Sequence, residues 1–433
     1  MAPTKSVAII GAGPAGAIAV DAFAQEKAFD VIKVFERQEK AGGCWVSRDN
    51  EPEIIWNFEK LASRTADAPL KIPDRLPASA PLRNPSRRFD RSEDLLNRNG
   101  YQDLVQYNTT VEKAAKDSAS NKWVLTLRKG GSGGGFDYWW TETFDALVVA
   151  AGHYAVPYIP EIRGLKEFAA AYPGRVEHTK QYRGPEKYRR KRVITVGASV
   201  SAADTAVSLI DTAESPIYAV VHGRYNPYFG DGAFKHPKIQ RRAPVSHISS
   251  SSGDRTVHFE DGTSVSDVDH IIFGTGFTWT LPFLPDVPTR NNRVPDLYQH
   301  VFYQSDPTLV FLGAYSNGKL SLLRAYWQER QPYLQLNCRE SGKWTEARKG
   351  DGPGFMVLNP DFEEYFEHLL LLAGEPGEGE PGRRLPKFDQ AWKDSFDTGH
   401  ERRIMMWKTA NAAAIAELQN QGTEGTREMP NKL

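Results

Sequence analysis

Short runs that are apolar throughout, or apolar apart from a single threonine at Thr195, punctuate this chain, and small residues follow each of them. The clearest are residues 7–10, 146–149, 193–196 and 271–273. None alternates apolar with polar, so each predicts a strand covered on both faces, as in a parallel sheet. Residues 17–24 and 203–210 follow the first and third runs with helical spacing, which predicts two strand–turn–helix units. Residues 31–35 and 217–221 read as the next strand of each unit. Residues 104–111, 122–128 and 136–141 read as three strands of a meander, with a glycine-rich tip at 130–135. Residues 144–152 close that unit as a buried strand ending in small residues, residues 255–259 add a strand, and 307–313 close the first sheet. Residues 66–90 are rich in Pro, Arg, Ala and Ser and read as an extended surface segment. Residues 374–382 read as an acidic linker. Residues 389–418 read as a helix packed through Trp392, Phe396, Ile404, Trp407 and Ile415.

The first turn reads Gly11-Ala12-Gly13-Pro14-Ala15-Gly16. Gly11 permits the tight turn, Gly13 lets backbone approach a pyrophosphate, and Gly16 lets the helix pack on its strand. Free N–H groups at the helix start then face the phosphates. Such a glycine pattern alone is weak, but here Glu36 ends the next strand, twenty residues after Gly16. A carboxylate there accepts from a ribose 2′-hydroxyl and repels a 2′-phosphate. The ligand expected at this turn is FAD or NAD. The plain alternative is an ordinary turn and a solvated glutamate. Next come Ala41-Gly42-Gly43-Cys44-Trp45, where two glycines allow close approach of a ligand and Trp45 offers a flat surface.

The second turn reads Gly197-Ala198-Ser199-Val200-Ser201-Ala202. A methyl in place of hydrogen is tolerated at its last position. Ser199 and Ser201 add hydroxyl donors. The following strand leads to His222-Gly223-Arg224, with a guanidinium where the first unit has its acid. Arginine suits a 2′-phosphate by charge and bidentate hydrogen bonding, against the alternative of a solvated strand-end charge. This turn is therefore assigned NADPH, which leaves FAD for the first, with hydride passing from nicotinamide to flavin.

The fold class expected is α/β, with two dinucleotide-binding Rossmann-like domains, the NADPH domain inserted in the FAD domain. The boundaries expected are 1–163 and 271–335 for the FAD domain, 164–270 for the NADPH domain, and 336–433 for a C-terminal helical extension. The 433 residues carry 54 Lys+Arg against 54 Asp+Glu. That balance argues against a nucleic-acid surface or a charge-driven membrane tether. Cys44 and Cys338 form no CxxC pair, which disfavours a disulfide reductase. No apolar run reaches the ~20 residues of a spanning helix. With no leader expected before the first strand, the expectation is a cytoplasmic protein. A homodimer is left open.

Five motifs in order over residues 5–335 resemble the flavin-containing monooxygenases, class B flavoprotein monooxygenases, with a fungal-like cast. They are the first turn, Glu36 with Gly42-Gly43-x-Trp45, the second turn, Thr275-Gly276-Phe277 followed by Leu281-Pro282, and a fingerprint FxGxxxHxxxY. In the fingerprint Tyr172 replaces Phe, and His178 and Tyr182 fill the last two places. Tyr182-Arg183 stands where Baeyer–Villiger relatives differ, which points to the heteroatom-oxidising branch. The resemblance implies that Gly43, Cys44 and Trp45 lie along FAD, that residues 275–277 return the chain to the FAD domain, and that Gln328 is the nearest match to a flavin-side glutamine. It implies an enzyme that takes NADPH, dioxygen and a small-molecule substrate, and oxygenates a soft nitrogen or sulfur through a flavin hydroperoxide. Neither a side-chain nucleophile nor a metal is needed. One departure stands out: Arg87-Arg88-Phe89-Asp90 runs straight into residues 91–98, where relatives carry some tens of residues more and a Thr-Asn pattern beside the flavin. An alternative gene model or isoform is one reading of this internal deletion. It keeps two further outcomes in view: an uncoupled NADPH oxidase releasing hydrogen peroxide, or an inactive chain.

Arg224→Ala is expected to raise the KM for NADPH far more than that for NADH. Steady-state kinetics with both nucleotides check this, and equal effects reject a 2′-phosphate role for Arg224.

Overall fold

The computed structural model describes residues 6–27, 29–43, 91–130, 136–223, 225–226, 229–249, 253–290, 292–313, 362–374 and 387–424. They divide into two compact units. The first holds residues up to 156 and residues 278–390; the second holds Pro157–Phe277 and residues from 391 onward. The two short strands β8 (Val156–Pro157) and β17 (Phe277–Thr278) mark the crossings.

In the first unit, β1 (Ser6–Ile10) leads to α1 (Pro14–Glu26) and β2 (Val31–Phe35). Helix α2 (Arg91–Arg98) and strand β3 (Val105–Gln106) follow. The meander is β4 (Thr109–Asp117), β5 (Lys122–Lys129) and β6 (Tyr138–Phe144). Strand β7 (Ala146–Val149) returns to the main sheet. Strands β18 (Leu297–Tyr298), β19 (Phe302–Tyr303) and β20 (Leu309–Phe311) complete it. The sheet order is β18-β19-β20-β7-β1-β2-β3, parallel from β20 to β3. Strand β1 shows why these runs are apolar throughout. Val7 and Ile9 pack with Ala17, Val20 and Phe23 of α1, while Ala8 and Ile10 pack with Val111, Trp123, Leu125 and Leu127 of the meander. Both faces of the sheet are covered, one by helix and one by meander, so no position along the strand can be polar.

Two strands expected as continuous are broken. Residues 104–111 divide at Tyr107-Asn108, where Asn108 takes φ +55° and its N–H donates to Gln38 O at 2.9 Å. Asparagine tolerates that conformation better than most residues, so the chain can leave the main sheet there and enter the meander. Residues 144–149 divide at Asp145, whose carboxylate accepts from the Ser6 N–H at 3.0 Å and the Ser6 hydroxyl at 2.5 Å. That clamp binds the start of β1 to the start of β7.

In the second unit, α3 (Leu165–Ala171) and β9 (Val176–His178) precede β10 (Val193–Val196), α4 (Val200–Leu209) and β11 (Ile217–Val220). Strand β12 (Ile239–Arg242) precedes a small antiparallel sheet of β13 (Val245–Ile248), β14 (Val257–Phe259) and β15 (Ser264–Val265). Strand β16 (His270–Phe273) completes a parallel sheet of order β12-β11-β10-β16-β9. Strands β12 and β13 went unread in the sequence. Ile239-Gln240-Arg241-Arg242 has one apolar residue because β12 is an edge strand. On one face the sheet packs α4 and Trp407; on the other it packs α3 and the small sheet. Trp407 belongs to α6 (Gln390–Glu424), which follows α5 (Phe362–Ala373). Of the helix residues expected to pack, Trp407 is buried, Ile404 is half-buried and Ile415 is exposed; the side chains of Trp392 and Phe396 lie outside the described residues. Helix α5 groups with the first unit and α6 with the second. The segment 66–90 lies outside the described residues.

A buried carboxylate holds the β9 edge of this unit. Glu177 accepts from Lys187 Nζ at 2.6 Å and from the Tyr188 hydroxyl at 3.3 Å, with His270 Nδ1 at 3.3 Å. Burial pushes its pKa up, but hydrogen bonding and charge from His270 and Lys187 outweigh burial and hold it below the usual carboxylate range. A depressed folded-state pKa contributes stability above the unfolded pKa, and that stability is lost as pH falls through the folded value. Glu177→Gln is expected to cost about 1–3 kcal/mol at neutral pH. The gap from wild type should narrow as pH falls below the unfolded pKa and close only once it has passed below the depressed folded value, where both states protonate. Urea titrations at several pH values check this; a gap that persists in acid would show that shape, not charge, is what Glu177 contributes.

Candidate functional site: two dinucleotide turns

The first turn is defined by how closely three backbone segments approach. Gly11 takes φ +101°, and its N–H donates to Phe35 O at 2.9 Å. A Cβ on Gly11 would lie 2.7 Å from Ala150 O, and a Cβ on Gly16 would lie 1.9 Å from Gly11 O. Both positions therefore exclude any side chain. Gly13 differs: a Cβ there would meet only Gly43 Cα, at 3.7 Å, an ordinary contact. The protein itself has room for a side chain at Gly13, as expected where backbone must approach a ligand. Pro14 opens α1 and Ala15 follows it; no side chain caps that helix start. Its first N–H groups are left to bind an anion.

Glu36 is 5% exposed and does more than the sequence implied. Its Oε2 accepts from the Ala12 N–H at 2.7 Å, and its Oε1 accepts from the Gln38 N–H at 2.8 Å. It shapes the turn as well as ending the strand. Each carboxylate oxygen retains a second lone pair, so a ribose hydroxyl still fits. Gly42 and Gly43 lie beside the same turn. The Gly42 N–H donates to Ala12 O at 2.9 Å, and Gly43 takes φ +62°. Cys44, Trp45 and Gln328 lie outside the described residues, as does Arg224.

The second turn repeats the geometry with one methyl group moved. Gly197 takes φ +142° and donates to Val220 O at 2.9 Å. A Cβ on Gly197 would lie 2.5 Å from Gly274 O. Here the third position is Ala202, and glycine stands across from it: a Cβ on Gly274 would lie 2.7 Å from the Ala202 methyl. In the first turn the equivalent pair is Gly16 and Ala150. Ser199 begins α4 without capping it through its side chain, and its Oγ accepts from Asn226 Nδ2 at 3.2 Å. The Ser199 hydroxyl hydrogen is thereby left to donate. Ser201, half-buried in the first turn of α4, lies two residues on. Both turns fit a bound pyrophosphate.

The other residues singled out in the sequence are engaged within the second unit. The Thr275 hydroxyl donates to Tyr158 O, and Gly276 O accepts from the Tyr158 N–H at 2.9 Å. His178 is buried, its Nδ1 accepts from the Lys180 N–H at 3.1 Å, and its ring meets Phe277 edge-on at 5.0 Å. Burial, with help from the Lys180 charge, pushes its pKa down despite a bond to Gly276. The Tyr182 hydroxyl lies 2.6 Å from Ser208 Oγ, its ring stacks on Tyr188, and burial pushes its pKa up to about 12. These contacts give both residues a folding job inside the unit.

Sequence reasoning missed the basic end of β12. Register sets Arg242 beside Val220 at the end of β11. The Arg242 guanidinium lies over the Tyr218 ring at 5.2 Å, whereas Arg241 is exposed and donates to the Tyr225 hydroxyl at 2.7 Å. The paired arginines were the available signal, but an edge strand with one apolar residue hides it. Among the described residues, no group of three or more His, Cys, Asp or Glu side chains could hold a metal ion, and no helix is long and apolar enough to cross a membrane.

Comparison with known proteins agrees with this arrangement. The family model for flavin-binding monooxygenase-like proteins matches residues 4–225 and 239–324. The flavin-containing monooxygenase iboF of Amanita muscaria is 28% identical over 406 residues, covering 72% of this chain and 75% of that protein. A trimethylamine monooxygenase of Pelagibacter sp. is 30% identical over 331 residues, covering 71% and 70%. Among solved structures, Tmm from Pelagibacter sp. aligns with a TM-score of 0.64 at 22% identity, covering 93% of this chain and 91% of that one. An S-allyl-L-cysteine S-oxygenase from Allium sativum aligns with a TM-score of 0.62 at 20% identity, covering 97% and 99%. The two structures share the fold of two Rossmann-type domains. The cofactors of the family are FAD and NADPH. A model match that spans more than half of the chain, on top of two glycine turns built to the same plan, makes this protein a member of the flavin-binding monooxygenase-like family.

Proposed function

We propose that the chain is an FAD- and NADPH-dependent monooxygenase that transfers one oxygen atom of dioxygen to a soft nitrogen or sulfur nucleophile. The observation that carries this reading is the pair of dinucleotide turns, one with a buried acid at its ribose end and the other beside a basic strand end. FAD is assigned to Gly11, Gly13, Pro14, Ala15, Gly16, Glu36 and Gly43, with Cys44, Trp45 and Gln328 as further contacts. NADPH is assigned to Gly197, Ser199, Ser201 and Arg224, joined by Arg241 as a second cation for the 2′-phosphate. Bound FAD would supply the electron transfer and the activation of dioxygen, which protein side chains do not provide.

The chain's own part is to bind and orient. The Gly13 backbone and the uncapped start of α1 hold a pyrophosphate, and Glu36 selects a ribose without a 2′-phosphate. The Ser199 hydroxyl, polarised by Asn226, donates to the second pyrophosphate. Thr275 and Gly276 act on nucleotide binding through the segment at Tyr158. His178 has its charged form disfavoured by burial. It moves no proton in this reading and serves to order residues 178–182. The nitrogen or sulfur preference is supported by the names of the trimethylamine and S-allyl-L-cysteine enzymes among the similar proteins. Oligomeric state and a cytoplasmic location belong to the same proposal as working assumptions.

Two experiments test it. The purified protein should carry FAD, be bleached by NADPH without oxygen, and in air convert a panel of tertiary amines and thioethers to N-oxides or sulfoxides in step with NADPH consumed. NADPH consumption matched wholly by hydrogen peroxide would sink the monooxygenase reading in favour of an oxidase, and protein that takes up no flavin would sink both. Gly16→Ala should lower the flavin bound per chain at least about tenfold, since its methyl has no room against the turn. Full flavin occupancy in that variant would remove the first turn from the FAD site.

A further inference from the structure

Helix α6 lies almost two hundred residues beyond the second turn in sequence, yet its buried stripe touches the two segments that frame that turn. His400, Arg403, Trp407 and Asn411 follow at spacings of three and four, so they share one face. Arg403 pairs with Asp204, which stands one turn into α4. Asn411 Nδ2 donates to Gly232 O at 2.8 Å. The remaining contacts gather on Phe229: the His400 ring at 4.7 Å, the Trp407 ring at 6.0 Å and the Arg403 guanidinium at 5.7 Å. Phe229 in turn belongs to a tight turn closed on Asn226, since the Phe229 and Gly230 N–H groups donate to Asn226 O at 3.3 and 2.8 Å. Asn226 is the residue that reaches the dinucleotide turn. Its N–H donates to Ala198 O at 3.4 Å, and its Nδ2 donates to Ser199 Oγ at 3.2 Å. An unbroken series of contacts thus runs from α6 through Phe229 and Asn226 to Ser199, and a second runs through Asp204 to the helix that starts at the turn.

We propose that α6 is a positioning element for the nicotinamide nucleotide: by seating Phe229 it holds Asn226 against Ser199, and through Arg403 it fixes α4, so that it sets the affinity of the second turn for NADPH. The inference rests on the reading of that turn as the NADPH site. Arg403, Phe229 and Asn226 act through Ser199 and the turn, and none is a catalytic residue. The geometry explains why a buried charge pair sits on this face, where an apolar contact would hold the helix as well. A fixed pairing partner specifies one rotation and one height of α6 on α4, and Asn226 requires that precision to meet a single hydroxyl.

The test is equilibrium titration of the full-length FAD-loaded protein with NADP⁺, alongside flavin content and the rate of anaerobic flavin reduction at saturating NADPH. Arg403→Ala is expected to raise the dissociation constant for NADP⁺ about tenfold, a coupling of ordinary size for two linked sites. Flavin content and the saturated reduction rate should stay within about twofold of wild type. Arg403→Lys should recover most of the affinity, because the charge pair survives. Should Arg403→Ala fail to fold, Asn411→Ala carries the test, with an expected rise of about threefold from the loss of one hydrogen bond. Folded variants that bind NADP⁺ like wild type would overturn the inference while leaving the NADPH assignment standing. A parallel fall in affinity, flavin content and saturated rate would overturn it as well, since that pattern marks general destabilisation. Wild-type protein that binds no NADP⁺ would overturn the NADPH reading and this inference together.

Discussion

Close approach of backbone to backbone governs each half of this protein. In both parallel sheets a crossing strand ends directly against a glycine turn, and its first residue past the strand presses a carbonyl on the turn's first glycine. Ala150 O does so at Gly11, and Gly274 O does so at Gly197. The third residue of each turn then packs against that same crossing residue. One residue of that pair carries a methyl, and the two halves place it on opposite sides. In the first it belongs to Ala150 and the turn has Gly16; in the second it belongs to the turn, as Ala202, and the crossing strand has Gly274. Backbone closes the other side in each case: a Cβ on Gly16 would stand 1.9 Å from Gly11 O, and one on Gly274 would stand 2.6 Å from Ala202 N.

That close approach makes the rest of each unit necessary. Helices α1 and α4 can start at their turns only if the strands beneath them are held in register. The register comes from apolar runs buried on both faces, between helix and meander in the first unit and between helices and a small sheet in the second. Side chains then finish what backbone contact begins. Glu36 takes two backbone N–H groups across the first turn, and Asn226 takes a carbonyl and a hydroxyl across the second. The same polar groups that stiffen each turn keep lone pairs or a hydroxyl hydrogen for a ligand, so binding and turn geometry are not separable functions.

Much of this was legible in the sequence because it depends on local rules. Apolar runs without alternation, glycine in fixed register after them, and an acid or a base at the next strand end are all read over a few tens of residues. The positions that misled the reading depend on distant partners. Asn108 breaks a strand because the chain must leave one sheet for another. Asp145 breaks one because Ser6 needs a cap. Strand β12 is an edge strand, so its sequence carries almost no apolar signal, and the arginines at its end went unnoticed with it. His178 and Tyr182 were read from a fingerprint, and a fingerprint does not say whether a residue faces a ligand or the core. Contacts with Lys180, Phe277, Ser208 and Tyr188 engage the two side chains inside the second unit, while His178 Nε2 is buried without a hydrogen-bond partner among the described residues.

The stripe on α6 was the least legible feature, for a reason that bears on how such enzymes are built. The helix was readable as a helix, and Trp407 as a packing residue, but His400, Arg403 and Asn411 are polar and carry no packing signal. Their burial has meaning only beside Asp204, Phe229 and Gly232, which the chain supplies far earlier. Apolar packing would secure α6 in several nearly equivalent rotations. A charge pair and a single amide–carbonyl bond admit one. A segment outside the glycine turns can therefore refine the second turn without altering any of its residues, and substitutions along α6 are a route by which nucleotide affinity can change while the turn itself stays fixed by the close approach of Gly274 to Ala202.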